Sequence, residues 1–135
     1  VIGYMLDTNI CVALMRGRSA RALDRLWQHR TDLIAISIIT LAELEFGVAK
    51  SARPSYNASH LAAFISPLAI LSFDALAAGI YGTVRMGLEQ VGMPIGPLDT
   101  LIAAHALSLR MTLITNNERE FSRVAGLQIE NWLTT

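Results

Sequence analysis

The stretch Ile2-Gly3-Tyr4-Met5-Leu6-Asp7-Thr8-Asn9 decides the fold. Ile2 to Leu6 is an apolar run suited to a central strand. Asp7 falls directly at its end, where an ionised carboxylate keeps its charge only with a cation or hydrogen-bond donors beside it. Two readings stand side by side: Asp7 caps the next helix, with Asp7-Thr8-Asn9 as a turn, or it belongs to a functional site.

Working outward, Ile10 to Met15 reads as a short helix, Gly17 punctuates it, and Ser19 caps a second helix to about His29. Leu33 to Ile36 is a second apolar strand. Ser37 or Thr40 caps the helix after it, and Thr40-Leu41-Ala42-Glu43 has capping-box spacing. Pro54 opens a helix to about Ile65, Leu68 to Leu71 is a third strand, and Asp74 caps a long helix ending near Gly92. Met93 to Pro97 is extended, Leu98 to Leu109 helical, and Thr112 to Ile114 a fourth strand. Asn116 to Arg123 is expected as a short helix and Leu127 to Ile129 as a last strand. Strands alternating with helices, themselves apolar throughout, predict an α/β fold: a three-layer α/β/α sandwich around a central, mostly parallel sheet of four to five strands.

The chain of 135 residues reads as one domain, 1–135, burying roughly two-thirds of its unfolded surface. A composition 53% hydrophobic and 16% charged argues against disorder and suggests apolar surface covered by another chain. One cysteine, Cys11, provides no disulfide framework, so a reducing compartment, the cytoplasm, is expected; no run is long and apolar enough for a membrane span. Net charge is zero, a poor general signal for nucleic acid. Arg18, Arg21 and Arg25 nevertheless share a helix face, either as a phosphate-facing stripe or, with more weight, as a solvated face or an acidic partner's contact.

In open parallel sheets ligands bind beyond the carboxyl ends of the strands. Asp7 follows strand one, Glu43 lies within two turns of the end of strand two, and Asn117 and Glu120 follow strand four. Asp99 opens the helix that leads into strand four, which places it on the same rim. Each acid has a structural rival. Glu43 fits a capping box, and Asp99 a helix N-terminus after Pro97. Yet Glu43 rides on a helix apolar on two sides, and Asp99 shares its face with Ile102, Ala103 and Ala106. Carboxylates sharing one rim repel unless a cation joins them, and an all-oxygen set recruits Mg²⁺ or Mn²⁺. The histidines lack zinc-ligand spacing, with His105 expected as a packed core residue, and Cys11 is expected to be inert. Gly79 and Gly82 form no phosphate loop and are expected to permit close helix packing. A hard cation on carboxylates suits hydrolysis of a phosphodiester.

The run Met5-Leu6-Asp7-Thr8-Asn9-Ile10, Ile36-Ser37 with Glu43-Leu44 and Gly47, Pro97-Leu98-Asp99 with Ile102-Ala103-Ala104-His105-Ala106, and Thr115-Asn116-Asn117 with Glu120-Phe121 resembles the PIN-domain VapC toxins. The match runs in order along nearly the whole chain. It implies a PIN-like α/β/α fold and a Mg²⁺-dependent endoribonuclease of a type II toxin-antitoxin module, inhibited by a small VapB-type antitoxin. By that resemblance Asp7, Glu43 and Asp99 are the metal-site acids and Asn117 stands where many relatives carry a fourth acid, with Glu120 three residues on. Thr8, Asn9 and Thr115 are expected to hydrogen-bond around them. Expected partners are RNA, plausibly tRNA, the antitoxin, and a second copy of the chain, with DNA met only through the antitoxin. Rivals are a phosphatase or phosphorelay receiver, which lack their second acids here, and a non-catalytic binding subunit.

Overall fold

The computed structural model describes residues 3–134. Its elements follow the order β1 (Gly3–Leu6), α1 (Thr8–Met15), α2 (Ala20–Gln28), β2 (Leu33–Ser37), α3 (Ile38–Ala49), α4 (Pro54–Ile65), β3 (Ala69–Leu71), α5 (Ala75–Gln90), α6 (Pro97–Ser108), β4 (Thr112–Ile114), α7 (Glu118–Phe121) and β5 (Ile129–Glu130). The strands form one sheet in the order β3-β2-β1-β4-β5, parallel at every pairing. β1 is central and its neighbours lie on opposite sides of the chain path, so the strand order reverses beside it. The crevice at such a reversal is where open α/β sheets hold their ligands.

Alternation along the strands divides the interior in two. Tyr4, Leu6, Ile34, Ile36 and Ile114 pack on one face with Ile10, Leu14, Leu44 and Leu61 from α1, α3 and α4. Met5, Ala35 and Leu113 point to the other, against Leu88 of α5, Ile102, Ala103 and Ala106 of α6, and Phe121 of α7. The sandwich is therefore three-layered. Among the described residues no helix is long and apolar enough to cross a membrane.

Local signals explain most boundaries. Pro54 sits in the first turn of α4, where its missing N–H costs nothing. Ser19 accepts from Ala22 N and Asp74 from Ala77 N, so each caps its helix as expected. The cap of α3 is Ser37, whose Oγ accepts from Ile39 N at 3.0 Å. Thr40 is thus not a cap, and Thr40-Leu41-Ala42-Glu43 is no capping box: Thr40 lies fully buried in the first turn of the helix. The terminal elements are also shorter than expected. α7 covers only Glu118–Phe121, and the last strand lies at Ile129–Glu130 rather than Leu127 to Ile129. An edge strand that pairs with one neighbour leaves little sequence pattern to read.

Two packing expectations fail. A Cβ added at Gly79 or Gly82 would meet nothing within 4 Å, so neither glycine serves close packing among the described residues. The flank of α3 that carries Glu43 is open at Phe46, which is 65% exposed, whereas the other apolar flank, Leu41, Leu44 and Val48, packs into the core.

The arginine stripe has an intrachain role. Arg21 donates to the Thr134 carbonyl, and Arg25 pairs with Glu130 at 3.2 Å while lying over the Trp132 ring. Trp132 is fully buried, stacks on His29 at 5.2 Å and donates its indole N–H to Glu130 at 3.1 Å; Tyr4 closes the cluster. These contacts fasten the C-terminal segment across α2.

Candidate active site

Asp7 leaves β1 at the strand-order reversal. Its backbone N–H continues the ladder to Ile114 O at 3.0 Å, and its carboxylate Oδ1 accepts from Ile10 N at 2.9 Å. Asp7 therefore caps α1, as the first of its two readings expects, and also stands on the rim. Only 3% of it is exposed. Burial pushes its pKa up to about 6, against the pull of the Thr115 hydroxyl and the Ile10 N–H; the neighbouring Asp99 and Glu43 charges push it further up. Among the described residues, the charges acting on Asp7 are thus other acids.

Asp99, in the first turn of α6, is half-buried, and its pKa is raised by burial and then by Glu43 and Glu120. Asp7, Glu43, Asp99 and Glu120 accordingly share one electrostatic neighbourhood, drawn from β1, α3, α6 and α7. Glu43 is held: the Thr8 hydroxyl donates to its Oε1 at 2.6 Å, with the Thr40 hydroxyl 3.4 Å from Thr8. Thr115, fully buried after β4, accepts from Asn117 N at 2.9 Å and acts on Asp7. Asn117 precedes α7 with its side chain free of any capping bond, and Asn9 is exposed at the rim. Thr40 is the polar residue at this site that local patterns misassign, since its capping-box spacing outweighs the hint that Thr8 needs a partner.

The donor set is all oxygen, which suits a hard divalent cation and not zinc. Among the described residues no three acidic, histidine or cysteine side chains form a ready-made cage. Cys11 is fully buried, with its thiol pKa driven up by burial, and takes no part. Beside the acids an open groove of about 900 Å³ runs between α1, α3 and α4, from Thr8 and Glu43 past Val12 and Met15 to Phe46 and Tyr56.

A parallel α/β sheet with acids gathered at its reversal point is an arrangement suited to metal-assisted hydrolysis of phosphodiesters. The PIN domain family model matches residues 4–127. Ribonuclease VapC2 of Rickettsia felis is 45% identical over 96% of this chain and 97% of its own length. The tRNA(fMet)-specific endonuclease VapC of Shigella flexneri is 39% identical over 98% of this chain and 99% of its own. The structure of VapBC2 from Rickettsia felis bound to a DNA fragment from their promoter superposes with a TM-score of 0.93, at 44% identity over 97% of this chain and 99% of that one. The chain belongs to the PIN-domain family, among its VapC ribonucleases.

Proposed function

We propose that this chain is the endoribonuclease toxin of a type II toxin-antitoxin pair, acting in the cytoplasm as a single PIN domain, 1–135, that cuts RNA with Mg²⁺, for which Mn²⁺ can substitute. The observation that carries the reading is the convergence of Asp7, Glu43, Asp99 and Glu120, with Asp7 buried and, among the described residues, only negative charges acting on it. Such a cluster is stable in its ionised form once a divalent cation joins it.

Asp7 and Asp99 would hold the ion, with Asn117 offering a neutral amide oxygen and Glu120 a further carboxylate nearby. When bound, the ion supplies Lewis-acid stabilisation of charge on the phosphodiester and a more acidic water. Thr8 fixes the Glu43 carboxylate so that it can orient the attacking water and accept its proton. Thr115 holds Asp7 in place, and Asn9 is available at the rim to RNA or water. A tRNA is the first substrate to try, because the Shigella flexneri relative is named for one.

The apolar groove beside Glu43 suits a VapB-type antitoxin, since structural neighbours are VapBC complexes, including one from Salmonella typhimurium bound to DNA. In this reading the resting form is a toxin-antitoxin hetero-oligomer, the toxin itself pairs as a homodimer, and DNA is met only through the antitoxin. The test is incubation of antitoxin-free protein with total RNA and Mg²⁺, beside EDTA and Asp7→Ala controls, with mapping of the cut ends. Discrete cuts lost in both controls are expected. Folded protein that cuts nothing would return the chain to the reading of a binding subunit.

A further inference from the structure

The separation of Glu43 from Asp99 depends on how α3 stands against α6, since each helix carries one of these acids. The two helices run counter to each other here. Ser37 at the start of α3 meets His105 near the end of α6, while Glu43, six residues beyond Ser37, acts on Asp99, six residues before His105. Six helical residues span about 9 Å, so any slip at one end is carried to the other.

The link at the far end is a buried hydrogen bond of 2.7 Å between His105 Nδ1 and Ser37 Oγ. His105 is 1% exposed and Ser37 fully buried, and the Phe73 ring meets the imidazole edge-on at 5.3 Å. Ser37 Oγ already accepts from Ile39 N, which leaves its proton free for Nδ1. Among the described residues no other side-chain hydrogen bond joins α3 or its cap to α6. His105 makes little other polar use of its ring: Nε2 is buried without a hydrogen bond of normal geometry, although the Ser72 backbone acts on the imidazole. Burial lowers the His105 pKa and keeps the ring neutral, as an acceptor at Nδ1 requires.

We propose that His105 is a positioning residue: through Ser37 it fixes the register of α3 against α6, and thereby the spacing of Glu43 and Asp99 at the cleavage site. The proposal rests on the reading of those acids as the cation site, but its test does not depend on cleavage alone. His105→Leu removes the bond at similar volume, whereas His105→Asn places an amide where Nδ1 stands. Metal-free crystal structures, Mn²⁺ titration calorimetry and RNA cleavage are then compared with the parent. In His105→Leu we expect α3 displaced along α6, Mn²⁺ affinity weakened about 10–100-fold, and kcat lowered by the same order with KM little changed. His105→Asn should stay within about threefold of the parent, as a conservative outer partner would.

Parent register and parent Mn²⁺ affinity in folded His105→Leu would overturn the proposal, as would an asparagine variant impaired as badly as the leucine one. Should His105→Leu not fold, Ser37→Ala removes the same bond from the other side, and an unchanged Mn²⁺ affinity there overturns the proposal equally. A parent that neither binds Mn²⁺ nor cuts RNA would count against the proposed function, while the helix register in the crystal structures would still decide this inference.

Discussion

The acidic rim and the aromatic clasp of the C-terminal segment are both polar clusters at the edge of one core, built on opposite principles. In the clasp, each polar group finds a complementary partner: Arg25 pairs with Glu130, His29 hydrogen-bonds Asp32 at 2.9 Å, and Trp132 fills the space between rings while its N–H is satisfied. At the rim, like charges meet, and Asp7 is buried among acids. The clasp contributes stability and has no need of a ligand. The rim costs stability until a cation arrives, and a site that strains the protein in this way is where chemistry is expected.

The comparison breaks if substitutions in the two regions behave alike. Trp132→Ala should have the largest effect on stability, about 3–5 kcal/mol in chemical denaturation, because a fully buried ring is lost. Cleavage per folded molecule should be unchanged. Asp99→Asn should do the reverse, lowering RNA cleavage by roughly 10²–10³-fold, the scale for removing one charge-stabilising group, with its circular dichroism intact.

A pH series sharpens the contrast. Asp7 has a folded pKa of about 6 against an ordinary value of 3.8, so the metal-free folded state retains a proton that the unfolded chain releases between these values. Stability contributed by that proton is fully present below about pH 4 and lost as pH rises through about 6, a change of up to about 3 kcal/mol. Asp7→Asn should abolish that slope in urea titrations, and Trp132→Ala should retain it. The smallest effect belongs to Arg25→Met. Its partner carboxylate is 40% exposed, so screening holds the loss to about 0.5–1 kcal/mol, shrinking further in high salt.

The same contrast explains what the chain discloses in sequence. The rim is readable because Asp7 and Asp99 lie at a strand end and a helix start, positions set by local apolar runs and by residues such as Pro97, with Glu43 within two turns of the end of β2. Asp99 is half-buried on the helix that carries the buried Ile102, Ala103 and Ala106, whose shared face helical spacing predicts. The clasp was not readable, because Arg25 and Glu130 are 105 residues apart and a helix stripe of arginines looks the same whether it faces water, phosphate or its own chain. Ser37 and Thr40 both fit a helix cap, and only tertiary packing decides that Ser37 caps while Thr40 is buried beneath Thr8. Likewise α3 looked apolar on two sides, and no local rule told that the flank bearing Phe46 would stay open as a groove.

In the proposed reading the buried rim carries uncompensated negative charge until a divalent cation occupies it. The most direct test of that reading is the melting temperature of the parent and Asp7→Asn at pH 7, each in EDTA and in Mn²⁺. In EDTA the variant should melt roughly 3–10 °C above the parent, since asparagine still caps α1 without the buried charge. Mn²⁺ should raise the parent and leave the variant where it was. A parent whose melting temperature ignores Mn²⁺, or an Asp7→Asn variant that melts below the parent in EDTA, would contradict the account.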